Sequence, residues 1–227
     1  MTNRVRHEEL VFLLDVDNTL LDNDRFGADL SAHLKSNFGV AERDRYWAGF
    51  AALRAQTGCA DYLAALQRFR TGLENEPALL HMSTWLLEYP FADRLYPGAL
   101  EAIGHLRSFG RPVILSDGEV VFQPRKIQRS GLWEALHGDV LIYLHKELAL
   151  DAVARRFPAT HYVMIDDKPQ LLAAMKRTLG AKLGTIWVRQ GKYASAEAIN
   201  SASVPPDRCI DAIGELCGFN RTGFASA

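Results

Sequence analysis

Asp15 and Asp17 stand one residue apart where an apolar run, Leu10 to Leu14, gives way to a polar turn through Asn18 and Thr19. In an extended chain, side chains two apart point the same way, so both carboxylates are aimed at one spot just past a buried strand. Two like charges that close repel, and a cation or a shared proton relieves the repulsion. The pair asks for a divalent metal, for acid–base chemistry, or for both. A helix N-cap followed by a turn aspartate is the competing explanation, because Asp, Asn and Thr are favoured where a strand hands over to a helix.

Three later apolar runs end in polar residues of a matching kind. Pro112 to Ser116 closes on a hydroxyl and is followed by Asp117 and Gly118, whose backbone can turn N–H groups toward an anion. Asp139 to Leu144 is followed by His145 and Lys146, and His161 to Ile165 by Asp166, Asp167, Lys168 and Pro169. Singly these read as a turn, a solvated lysine and an N-cap. Such readings do not explain why acid pair, hydroxyl, lysine and acid pair occur in that order on four successive strand ends, where open α/β sheets gather their reacting groups.

The elements that must position them divide the chain in two. From Asp22 to Arg94 the pattern is helical throughout: Phe26, Leu30, Leu34 and Phe38 up to Gly39; about Glu42 to Thr57, stopped by Gly58; Asp61 to Arg70; and a fourth helix opened by Pro77 and ended before Pro90. From Tyr96 onward, helices (97–109, one opened by Pro124, 147–157, 169–179) alternate with short apolar strands, ending in Leu183–Val188 and a weak Arg208–Ile210. The pattern predicts a doubly wound, Rossmann-like parallel α/β core formed by residues 1–21 and 95–227, with an all-helical insertion over 22–94 after strand one. The insertion leaves and rejoins beside the carboxylate pair, which makes it a lid over Asp15 and Asp17, separable from a self-sufficient core. The stretch 194–203 reads as a surface loop and the tail after Phe219 as loose.

Together the four strand ends resemble the haloacid dehalogenase superfamily over nearly the whole chain. Asp15, Asp17 and Thr19 are similar to its DxDxT motif, Ser116 to its second motif, Lys146 to its third, Asp166 with Asp167 to its acidic fourth, and 22–94 to its C1 cap. The resemblance implies a Mg²⁺-dependent phosphatase of a small phosphorylated metabolite. Asp15 would be the nucleophile that forms an aspartyl phosphate and Asp17 the general acid and base. Ser116, Asp117 and Lys146 would bind the phosphoryl group. Asp15, the Asp17 backbone carbonyl, Asp167 and Asp166 would hold Mg²⁺, with Asp167 the direct ligand of the last pair. Dehalogenases of the superfamily lack the second acid and need no metal, and a phosphonatase requires a cap amine, for which the insertion offers only Lys35. A phosphotransferase or mutase, or a non-catalytic protein keeping the fold, remain alternatives. Departures are Asn18 for a common Gly, Glu147 for a Pro after Lys146, and Gln170, Leu171 and Leu172 where many members carry a further acid. His145, Arg125 and Lys126 are therefore reserve candidates for the cationic role.

The 26 basic and 27 acidic residues leave a net charge of -1, which favours neither nucleic acid nor an anionic membrane. No apolar run reaches signal-peptide or membrane-spanning length, so a cytoplasmic location is expected. Cys59, Cys209 and Cys217 are too few and too scattered for a disulfide framework or a zinc site, and they read as buried or half-buried thiols. His33, His81, His105, His137 and His161 fall mostly in apolar patterns and read as packing or surface residues.

Overall fold

The computed structural model describes residues 8–73, 76–194 and 203–225. Its centre is β1 (Glu8–Leu14), where the stretch Val11 to Leu14 is sealed from solvent. Being buried on both faces is what lets this run dispense with polar alternation. Phe12 and Leu14 pack into one apolar cluster, and Val11 and Leu13 into another on the opposite face. The remaining strands are β2 (Arg111–Asp117), β3 (Val140–Tyr143), β4 (Ala159–Asp166), β5 (Leu183–Val188) and β6 (Arg208–Ile210). All five neighbouring pairs are parallel, in the order β3-β2-β1-β4-β5-β6. Leu14 pairs with Ile114 on one side and Ile165 on the other, so the polar residues that follow all three strands emerge at the same edge.

Four helices follow β1: α1 (Asn23–Phe38), α2 (Val40–Thr57), α3 (Tyr62–Phe69) and α4 (Pro77–Glu88). Their ends obey local chemistry. Asp22 caps α1 by accepting from Arg25 N at 2.8 Å, and Asp61 caps α3 by accepting from Ala64 N at 2.7 Å. Gly58 ends α2 in the left-handed region (φ 72°), with the His145 ring so close that a Cβ would stand 2.4 Å from it. Where the insertion leaves and rejoins the core, the chain is stitched together: Asp22 N donates to Arg94 O at 2.7 Å and Tyr96 N to Leu20 O at 2.9 Å.

The crossover helices are α5 (Ala99–Leu106), α6 (Phe122–Arg129), α7 (Leu132–Ala135), α8 (Leu150–Arg156) and α9 (Pro169–Leu179). α5, α6 and α7 pack on the Phe12 face and α8 and α9 on the Val11 face, giving three layers. The doubly wound parallel fold is as the sequence implied, and α9 and β5 have the expected limits.

Four expectations need correction. Pro124 is the third residue of α6 rather than its opener, a position still within the first turn, where a missing N–H costs nothing. The helix expected over 147–157 splits into a 3-10 turn, Lys146–Leu148, and α8, because Lys146 is pulled into the site. The tail is not loose: Arg221–Ala225 is helical and buries Phe224 against Phe12, ring centroids 4.8 Å apart. Nor is the insertion set apart from a self-sufficient core as expected, since Phe26, Leu30, Leu86 and Phe91 share one cluster with Leu20, Ile114, Phe122 and Ile127. Of the expected surface loop, residues 195–202 lie outside the described residues. All three cysteines are free, Cys59 buried but Cys209 and Cys217 exposed. Among the described residues, no helix is long and apolar enough to cross a membrane.

Candidate active site

A cavity of about 450 Å³ opens at the carboxyl edge of the sheet, with core residues on one side and α2 and α3 on the other. Asp15, Asp17, Ser116, Asp117 and Asp167 line it from below, and Trp47, Phe50, Arg54 and Tyr62 from the insertion. The structure thus brings the expected site residues to one place, with Lys146 and Asp166 sealed beneath.

The turn after β1 is wound on the Val16 carbonyl, which accepts from the N–H groups of Leu20 at 3.0 Å and Leu21 at 2.9 Å. Asn18 sits in the left-handed region at φ 62°, tolerable for Asn, and explains the Gly often found at the equivalent motif position. Its side chain accepts from Asn23 N and Asp24 N, so it also fixes the start of α1. Asp15 Oδ2 accepts from Thr19 Oγ1 at 3.4 Å, and Asp15 Oδ1 lies 2.5 Å from Lys146 Nζ.

Lys146 is fully buried and bridges two acids, with Asp166 Oδ2 at 2.6 Å on its other side. Burial alone would lower its pKa, but Asp15 and Asp166 outweigh burial and raise it, so it is a fixed cation. Its backbone N–H donates to Asp117 Oδ1 at 2.8 Å. Asp117 therefore anchors Lys146 with its carboxylate, and burial raises its own pKa. Gly118 N donates to Tyr143 O at 2.9 Å, so that amide is committed to the sheet and does not face an anion as expected. Gly118 is required for another reason: the Gln123 side chain passes 2.5 Å from where a Cβ would stand. Gln123 Nε2 in turn donates to Ser116 Oγ at 2.9 Å.

Asp15, Asp166 and Asp167 place carboxylate oxygens within 4.8 Å of one another, all buried. Asp166 is already occupied, Oδ1 by the Lys168 N–H and Oδ2 by Lys146. Among the described residues, neither carboxylate oxygen of Asp167 has a hydrogen-bond partner. Burial, with Asp166 and Asp15 nearby, pushes its pKa up to about 9. An all-oxygen cluster holding an unpartnered buried carboxylate fits a hard divalent cation such as Mg²⁺. Lys168 adds a further charge at the cavity wall; burial opposes its ionisation, but Asp15, Asp166 and Asp167 raise its pKa.

Asp17 is less enclosed, with a quarter of its side chain exposed, and the fully buried Lys126 grips it: Nζ is 2.8 Å from Oδ1 and 3.0 Å from Oδ2. Of the other reserve cations, Arg125 is drawn away to Glu88, whereas His145 lines the cavity. Sequence reasoning held Lys126 in reserve and passed over Lys168 and Gln123. The available signal for Lys126 was a lysine beside Ile127 and four residues after Phe122, on the apolar face of α6.

A parallel α/β fold with a helical insertion after its first strand, and a buried lysine among a carboxylate cluster at its carboxyl edge, points to a class of hydrolase. The sequence profile of the haloacid dehalogenase-like hydrolases matches residues 10–178, and the chain belongs to that family. A haloacid dehalogenase-like hydrolase of Burkholderia xenovorans is 54% identical, with 95% of this chain and 100% of that one aligned and a TM-score of 0.88. More distant structures share the fold. L-2-haloacid dehalogenase of Xanthobacter autotrophicus is 16% identical (92% and 96% covered, TM-score 0.61), and the magnesium-bound HAD-hydrolase YfnB of Bacillus subtilis is 18% identical (93% and 97% covered, TM-score 0.59). No curated protein matches the chain.

Proposed function

We propose that this hydrolase is a Mg²⁺-dependent phosphatase of a small phosphorylated metabolite, with residues 22–94 as its cap. The observation that carries the reading is the buried Asp15, Asp166 and Asp167 cluster, in which Asp167 is unpartnered. A carbon–halogen bond broken by a carboxylate releases a halide that needs neither a metal nor a proton, so dehalogenation accounts neither for this cluster nor for Asp17 on the cavity wall.

In the first step an Asp15 carboxylate oxygen attacks phosphorus. The ester P–O bond breaks, its electron pair stays on the alcohol oxygen, and that oxygen takes a proton from Asp17. In the second, Asp17 accepts a proton from water, whose oxygen attacks phosphorus and releases Asp15 and inorganic phosphate. Ser116 Oγ, held by Gln123, donates to a phosphoryl oxygen, and Lys146 offsets charge on Asp15 and the phosphoryl group. Asp15, Asp167 and the Asp17 carbonyl would hold Mg²⁺, with Asp166 orienting Lys146 beside them. When bound, the ion neutralises charge between carboxylate and phosphoryl oxygens. The cap side of the cavity excludes water and presents Trp47, Phe50 and Arg54 to the remainder of the substrate.

The test is a panel of phosphate esters assayed for phosphate release with Mg²⁺ and with EDTA, beside 2-haloacids assayed for halide. Metal-dependent phosphate release is expected. Halide release insensitive to EDTA, with no phosphate released, would replace this reading by a dehalogenase.

A further inference from the structure

Lys126 is a charge in an improbable place. It comes from α6 of the core, is fully buried, and its ammonium lies 5.6–5.8 Å from the ring centroids of Phe26, Tyr62, Phe91 and Phe122. Ring faces at that distance attract a cation, but they do not replace the hydrogen bonds it loses in leaving water. Those come from Asp17, through both carboxylate oxygens, and from Asn23 Oδ1 at 2.9 Å. Asn23 Nδ2 is in turn hydrogen-bonded to Tyr62 OH at 3.4 Å. Three of the four rings, and Asn23, belong to residues 22–94. The lysine is therefore a core side chain whose seat is mostly made by the insertion.

We propose that Lys126 is the positioning residue for Asp17, and that the cap completes the seat from which it acts. The proposal rests on the reading of Asp17 as the acid–base group. Asp17 can rotate about its side-chain bonds, and a single ammonium contacting both its oxygens fixes the direction in which the carboxylate points. The exposed part of Asp17 stays on the cavity wall, where a leaving oxygen or a water would stand. Because Asn23 and the rings of Phe26, Tyr62 and Phe91 hold the ammonium, Asp17 is aligned only when the cap rests on the core. Proton transfer is thereby confined to the closed, water-poor cavity.

A lysine serving stability alone would be replaceable by an apolar residue of similar length at little functional cost. K126M, assayed as the full chain with Mg²⁺, separates the two roles. A misplacement of about 1 Å is worth on the order of 100-fold in rate. We expect kcat for an alkyl phosphate to fall by about that factor with KM nearly unchanged. With p-nitrophenyl phosphate, whose leaving group needs no proton, Asp15 should still be phosphorylated and the phosphoenzyme should accumulate. N23A, which keeps the charge pair, should show the same pattern in weaker form, and the double variant should be no worse than K126M, since both act on one contact. A first-turnover burst with p-nitrophenyl phosphate that slows as much as alkyl phosphate turnover, or no loss on either ester, would overturn the positioning role, and additive losses in the double variant would overturn the cap's part in it. Should K126M fail to fold, N23A carries the kinetic test. If the wild-type chain hydrolyses no phosphate ester, the functional reading falls separately. Crystal structures of wild type and K126M then decide the positioning claim: it requires the Asp17 carboxylate to rotate in the variant, and an unmoved carboxylate refutes it.

Discussion

Lys146 Nζ lies 2.5 Å from Asp15 Oδ1, and both side chains are shut off from solvent. The contact joins the first and third motifs across 131 residues of sequence, and Asp166 closes it from the other side. Removing one partner of such a buried pair leaves a charge without compensation, at a cost of about 3–5 kcal/mol. Lys146→Met should therefore lose turnover and also lower the melting temperature by roughly 10 °C for a chain of this size. Calorimetry beside phosphate release checks both. A variant that is inactive at unchanged stability would mean that the ion pair contributes nothing to folding.

The two motif-one aspartates should fail differently. Asp15→Asn removes the nucleophile, so no covalent phosphate forms with any ester. Asp17→Asn keeps the nucleophile and loses the proton carrier, at a cost of about 10²–10⁴ in rate for alkyl esters. With an activated ester it should label Asp15 and then stall, giving one added phosphate mass on the peptide containing Asp15 after acid quench. Label on Ser116 or a histidine would refute the assignment.

Metal binding should be coupled to protons through Asp167. In the metal-free protein burial, with Asp166 and Asp15, pushes this carboxyl up to about 9, so at pH 7 it holds a proton that a cation must displace. Apparent Mg²⁺ affinity should rise with pH, by close to tenfold per unit, and level off near pH 9. The sign for stability is opposite. A raised carboxyl pKa favours the neutral fold, so the metal-free protein should lose stability as pH climbs from about 4 toward 9. Mg²⁺ should restore that loss, and Asp167→Asn should abolish both trends. Titration calorimetry in buffers of different ionisation enthalpy, with thermal melts, measures these effects.

Deleting residues 24–94 and bridging the gap should not give a soluble core. Phe122 would lose its ring contacts with Phe26, Tyr62 and Phe91, and Lys126 the same three rings, which bares a contiguous apolar patch. Soluble expression and a cooperative melt of the shortened chain would show that the sheet needs no help from the insertion.

Much of this was legible because local chemistry and distant packing agree. Pro169 fixes φ for a first helical turn, Gly39 and Gly58 supply left-handed exits, and α9, α1 and the end of α2 follow. The order of polar strand ends was readable because a parallel sheet delivers them to one edge. What stayed hidden depends on partners far along the chain. Lys126 reaches Asp17 across 109 residues, and nothing near either residue marks the pairing. Sequence reasoning sought one cation for the site, whereas the fold supplies Lys146 for Asp15 and Lys126 for Asp17. The terminal helical turn was missed because Arg221 to Ala225 shows no periodicity; a single phenylalanine, Phe224, docks it.

The paired hydrogen bonds at Asp22–Arg94 and Leu20–Tyr96 have an evolutionary consequence. They tie the two ends of the insertion together where it leaves the core, so its length between those points is not set by the sheet. Its underside is constrained where Asn23, Phe26, Tyr62 and Phe91 meet Lys126 and where Glu88 meets Arg125. Descendants of such a chain can vary the α2 side chains that line the cavity, Trp47, Phe50 and Arg54, while a patch of four side chains keeps Lys126 and Asp17 in register.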